Sequence, residues 1–211
     1  MSAFVRRVAL TLAVGSAVLL GACNRASDAP AGSPPPAAKL DFKGVDITGA
    51  TYARELSMPD TEGRMRSLAD FKGKVVVVFF GYTQCPDVCP TTMAELAQVK
   101  KSLGADGDRV QGVFVSIDPE RDTPEVLKGY MAGFDPSFVA LRGSADQTAA
   151  AAREFKVFYA KVPGKTESTY TMDHTAGSYV IDTQGRIRLF ERYGAGPDAL
   201  TQDVKALLAA A

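Results

Sequence analysis

The chain has 211 residues, 46% of them hydrophobic and 23% charged, which fits one globular domain with extensions. Lys plus Arg and Asp plus Glu both total 24, so the formal net charge is zero. Nothing in such a balance suggests nucleic acid or an anionic membrane surface as a partner, and no nucleic-acid partner is expected.

In chain order, Arg6 and Arg7 come first, followed by the 15-residue apolar run VALTLAVGSAVLLGA and then Cys23. The run is short for a spanning helix, which needs about 20 apolar residues, and has the length of a secretory h-region. Leu20-Gly21-Ala22-Cys23 resembles a bacterial lipobox. That resemblance implies a signal peptide over residues 1–22, cleavage before Cys23, acylation of its thiol, and lipid anchoring to a bacterial membrane on the periplasmic or extracytoplasmic side. A plain secretory signal with an incidental cysteine is the alternative. Loss of Arg6 and Arg7 leaves 22 basic residues against 24 acidic. Three cysteines in an exported chain is an odd count; a lipidated Cys23 leaves Cys85 and Cys89 as a pair in an oxidising compartment. Residues 23–44 are rich in Ala, Pro and Ser, have no apolar period, and are expected to form a semi-rigid tether.

From residue 45 to 211 the pattern is that of one domain. Residues 54–74 contain the turn signals DTEG and FKGK and are expected to form a short N-terminal β-hairpin and a turn. VVVVFFGY, 75–82, is a buried strand, β-branched and aromatic with no polar face. TTMAELAQVKKSL, 91–103, is an amphipathic helix with Met93, Leu96, Val99 and Leu103 in one stripe. VQGVFVSID, 110–118, is a second buried strand. A helix over 123–134 has Thr123 as N-cap and Pro124 at its first position, and a third helix spans 146–156. Two strands around a tight turn at 183–185 fill 178–193, and a helix over 196–210 closes the chain. Alternation of this kind argues an α/β domain with a mixed central sheet flanked by helices. With two thiols at the first strand-to-helix junction, the best match is the thioredoxin-like fold.

Cys85 and Cys89 are four residues apart, each followed by a proline. In one helical turn their Cβ atoms would lie about 5–6 Å apart, near disulfide reach and near the span of one metal ion. Pro90 cannot donate to the carbonyl of Pro86. Either residues 86–89 make a separate short turn, or the helix starts at Pro90 with Cys89 as its cap. Both place the thiols at a helix N-terminus, where orphan N–H groups and the dipole favour thiolate. A stapling disulfide is the structural alternative. The single histidine, His174, lies just ahead of the strand SYVID, and its neighbours Asp173 and Thr175 suggest an exposed loop. In a thioredoxin-like fold that loop faces the dithiol. Thioredoxin-type oxidoreductases carry a cis-proline there, where this chain has Ala176. Two thiolates and one imidazole suit copper, and less exclusively zinc.

GYTQCPDVCPTTMAEL, VSIDPERDTPEVLKGY and MDHTAGSYVID resemble the SCO/SenC family of copper-binding proteins over roughly residues 45–211. The resemblance implies a membrane-anchored, thioredoxin-like domain binding one copper ion, as Cu(I) or Cu(II), through Cys85, Cys89 and His174. Nearby acidic residues carry over to Asp87, Asp118 and Asp173. The last residue of the second strand, Asp118, could instead cap the turn DPERDTPE. The implied role is delivery of copper to, or preparation of, the binuclear CuA centre of cytochrome c oxidase subunit II, with other periplasmic copper carriers as further partners and a monomer as the working unit. Family members are often anchored by a transmembrane helix; here the lipobox stands in its place. Two other functions remain open. The first is a thiol-disulfide oxidoreductase using Cys85 and Cys89 as a redox pair on the oxidase's copper-ligand cysteines. The second is a copper or redox sensor.

Overall fold

Val75–Gly81 forms β4, the strand on which the site is built. An apolar run with no polar face must be covered on both sides, and every residue of β4 is buried. The computed structural model describes residues 40–166 and 169–211. β4 pairs in parallel with β5 (Val110–Ser116), in register from Val75↔Val110 to Gly81↔Ser116, and antiparallel with β9 (Gly177–Ile181). Short strand β6 (Val139–Leu141) extends the parallel side; β10 (Ile187–Arg192) and β1 (Val45–Asp46) extend the other. The result is a six-stranded mixed sheet in the order β1-β10-β9-β4-β5-β6.

Helices α1 (Val88–Ser102), α2 (Pro124–Ala132), α3 (Ala145–Glu154) and α4 (Pro197–Ala209) flank the sheet, completing the expected thioredoxin-like α/β arrangement. Their starts follow local chemistry. Thr123 accepts the Val126 N–H at 3.3 Å with Pro124 in the first turn, and Ser144 and Gln147 form a reciprocal capping box. The pleat sorts the β4 side chains. Phe79 and Gly81 face the thiol end of α1, while Phe80 meets the ring of Phe155, the C-cap residue of α3, at a tilt of 53° with centroids 5.2 Å apart. The expected N-terminal hairpin is present as β2 (Ser57–Pro59) and β3 (Met65–Ser67).

Three features differ from the sequence expectation. A second hairpin, β7 (Tyr159–Pro163) and β8 (Tyr170–His174), stands where a loop was expected, so His174 ends a strand. α1 begins before Pro90, because the N–H that proline lacks falls among the unpaired donors of a first turn. The folded unit also reaches back into the expected tether: Lys43 and Gly44 donate their backbone N–H groups to Asp203, and Leu40 and Phe42 pack on the core. The expected signal peptide, Cys23 and the tether up to residue 39 lie outside the described residues. Among those described, no helix is long and apolar enough to cross a membrane.

Candidate metal centre

Cys85, Cys89 and His174 reach one point from three directions. Cys85 sits in the turn after β4, Cys89 in the first turn of α1, and His174 at the end of β8. Their ligand atoms all lie within 4.8 Å of one another, and among the described residues this is the one such group of three or more Cys, His, Asp or Glu side chains. Cys89 Sγ lies 3.7 Å from His174 Nε2. Both thiols are free.

Local structure explains the convergence. Asp87 occupies the N-cap of α1 without a side-chain cap bond; instead the Cys89 N–H donates to Cys85 Sγ at 3.4 Å. One sulfur thus takes an orphan donor of the helix that carries the other. In β8 the burial alternates: Tyr170, Met172 and His174 turn inward, while Thr171 and Asp173 are exposed. The imidazole packs edge-on against Phe79 and Tyr82, with centroids 5.9 and 6.1 Å away. His174 Nδ1 lies 3.0 Å from the Thr175 carbonyl. A carbonyl can only accept, so Nδ1 carries the hydrogen and Nε2 presents its lone pair to the sulfurs.

Burial dominates the electrostatics. It holds the His174 pKa below the ordinary imidazole value, which keeps the ring neutral and able to ligate. It pushes the Cys89 thiol well above its ordinary value, against the thiolate-favouring helix terminus expected from the sequence. Cys89 is fully buried, and desolvation of its anion outweighs the nearby N–H dipoles. A bound cation would reverse that balance by taking the place of the proton. Two sulfurs and an oriented imidazole nitrogen suit a soft or borderline transition-metal ion.

The acidic residues singled out in the sequence occupy different places. Asp87 is exposed at the helix cap. Asp173 is exposed on the face of β8 opposite His174. Asp118 is buried, accepts the Tyr170 hydroxyl at 2.7 Å and the Arg121 Nε, and touches no ligand. Sequence reasoning missed Asp122, whose buried carboxylate accepts from the Thr83 N–H at 3.1 Å and the Thr83 hydroxyl at 2.6 Å, just ahead of Cys85. It also missed Gly81, Tyr82 and Arg121. The break of an apolar run at a glycine was the one signal for these; the others depend on partners distant in the chain.

Known proteins share this architecture. The chain is 34% identical over 158 residues to the mitochondrial SCO2 homolog of Bos taurus, a match covering 74% of this chain and 59% of that protein. It is 36% identical over 133 residues to an SCO2-like protein of Rickettsia felis, covering 63% of this chain and 65% of that one. The chain therefore spans about three fifths of the length of these relatives. Among solved structures, copper-bound ScoI of Bradyrhizobium japonicum is similar with a TM-score of 0.68 and 38% identity, covering 75% of this chain and all of that one. The apo Sco1 solution structure from Thermus thermophilus is similar with a TM-score of 0.72 and 38% identity, covering 82% of this chain and all of that one. The SCO1/SenC family model matches residues 46–209, and the chain belongs to the SCO1/SenC family.

Proposed function

We propose that this protein binds one copper ion through Cys85 Sγ, Cys89 Sγ and His174 Nε2, and that the ion is cargo for cytochrome c oxidase assembly: delivered to, or used to prepare, the CuA centre of subunit II. The observation that carries the reading is the convergence of three ligand atoms within 4.8 Å, with the imidazole tautomer already set for ligation. Two thiols suit Cu(I), and the imidazole extends the set to Cu(II). Three protein donors leave one side open to a partner's ligands, as a transfer site requires. Binding would expel the thiol protons, so uptake should release acid. Periplasmic copper carriers would supply the ion. Asp118 would act through Tyr170 and Arg121, and Asp87 and Asp173 would face an incoming partner. In this reading residues 1–22 are a lipoprotein signal peptide, Cys23 bears the lipid, and the following Ala/Pro-rich segment holds the domain off the membrane. Cys23→Ser should then move the protein from the membrane to the soluble fraction or block its processing; unchanged membrane partition would refute the anchor.

One observation favours a second reading, a thiol-disulfide oxidoreductase acting on the oxidase's copper-ligand cysteines. Both thiols are free, and Cys85 is partly exposed where a disulfide could reach it. His174 separates the two functions. The reduced chain should bind one copper, and the Cys85→Ser, Cys89→Ser double variant none. His174→Ala should weaken Cu(I) only in part, abolish the Cu(II) thiolate charge-transfer band, and leave disulfide exchange intact. In cells that variant should lower oxidase activity at limiting copper, with partial rescue by added copper. Full oxidase activity at limiting copper would transfer the assignment to thiol exchange.

A further inference from the structure

The two thiols and the imidazole arrive on elements far apart in the chain, and their spacing depends on what ties those elements together. Beside the Tyr82 ring, which packs on the imidazole, Arg121 does so by hydrogen bonds. Arg121, in the turn after β5, donates from Nη1 to Gln84 Oε1 at 3.1 Å and to the Tyr170 carbonyl at 2.8 Å. Gln84 precedes Cys85, and Tyr170 opens the strand that ends in His174. The guanidinium lies 3.5 Å from the Tyr170 ring centroid and 5.7 Å from that of Tyr82. Its Nε is held by Asp118, whose other oxygen accepts the Tyr170 hydroxyl at 2.7 Å, so Asp118, Arg121 and Tyr170 close a ring of contacts. Next in the chain, buried Asp122 ties Thr83 to the end of β5 through the Ser116 hydroxyl at 2.6 Å. The thiol turn is thereby fixed to the sheet, and the histidine hairpin is fixed to the thiol turn through Arg121.

Resting on the copper reading of the site, we infer that Arg121 is a positioning residue that sets the distance between His174 and the thiol pair while touching none of the three. The role needs a planar fork with several donors and a stacking face. Lysine shares the charge and lacks both. Tyr170, Met172 and His174 share one face of β8, so a displaced Tyr170 carries His174 with it.

The test uses the full chain with Arg121→Lys and Tyr170→Leu, each also in a His174→Ala background. Cu(I) stoichiometry should stay at one in both single variants. Cu(II) affinity should fall by up to about 10-fold, less than the loss typical of a residue bonded directly to a metal ligand, with a weakened thiolate charge-transfer band. In the His174→Ala background the same changes should leave Cu(I) affinity unaltered. Without metal, amide hydrogen exchange at Thr171–His174 should accelerate relative to β9. Wild-type Cu(II) affinity and wild-type exchange in both variants would overturn the inference. So would an equal loss of Cu(I) affinity in the His174→Ala background, since Arg121 would then act on the whole domain and not through the histidine. If Arg121→Lys fails to fold, Tyr170→Leu decides, because it leaves the Arg121–Asp118 pair in place. If wild-type protein binds no copper, the reading of the site falls, and the exchange measurement still upholds or overturns the role of Arg121.

Discussion

At Gly81 an added methyl group would lie 2.7 Å from the Phe79 ring and 2.9 Å from Cys89 Sγ. The glycine is there for close approach: it lets the end of β4 pass beneath the buried sulfur. Gly81→Ala should overpack this corner, costing about 1–3 kcal/mol and displacing Cys89. Thermal unfolding together with Cu(I) competition against a chromophoric chelator checks it; wild-type Cu(I) affinity in a destabilised variant would mean the sulfur has room to move. At this scale legibility followed rarity and chemistry. The chain has one histidine and three cysteines, so the Cys-x-x-x-Cys pair and His174 could be picked out before any geometry was known. Arg121 and Asp122 are two charged residues among many, and their roles arise from Tyr170 and Thr83, 49 and 39 positions away. Nothing local marks them.

Elements with a continuous apolar signal were legible. β4 and β5 are buried along their whole length, and α1 keeps Met93, Leu96 and Val99 in the core. The β7–β8 hairpin was not, because β7 is half to fully exposed and β8 buries only Met172 between polar residues. A strand whose inward positions are Tyr, Met and His carries its alternation in side chains that a hydrophobicity pattern scores weakly. The error has a functional consequence. Asp173 and Thr175 suggest an exposed loop around His174; the structure instead holds it half-buried at the end of a paired strand, in register with Tyr159. The start of α1 was misjudged for a related reason. Pro90 signals a helix boundary, yet proline in a first turn forfeits no hydrogen bond, and the helix begins at Val88, with Cys89 in its first turn and Cys85 in the turn before it.

Across the whole molecule, alternation alone predicted the α/β class and mixed sheet, while the edge was set by long-range contacts that no periodicity reports. β1 lies on β10, and the residues before it are held by α4 through Asp203, which accepts the Lys43 N–H at 2.8 Å and the Gly44 N–H at 2.7 Å. Glu191 of β10 lies beneath Gly44, where a Cβ would come within 2.2 Å of Glu191 Oε1. Its carboxyl is buried without a donor of its own, and burial, followed by the adjoining Asp203 carboxyl, raises its pKa from 4.5 to about 8. A proton on Glu191 supplies the missing donor, and Asp203 accepts it. The sign follows from linkage. The folded state keeps a proton that the unfolded chain releases near pH 4.5, so this contribution to stability is complete below that pH and is lost as pH rises through about 8. The loss approaches about 1.4 kcal/mol per pH unit inside the window. His174, whose folded pKa is lowered, works in the opposite sense below about pH 6.5, so the effect is read as a difference between two proteins that share it. Glu191→Gln replaces the titrating hydroxyl by an amide that donates to Asp203 at every pH. The variant should therefore be more stable than the wild type at pH 8–9, with the gap narrowing as pH falls towards 5. Urea midpoints at pH 5, 6.5 and 8 measure it, and two curves that run parallel over that range would show that Glu191 does not hold the proton.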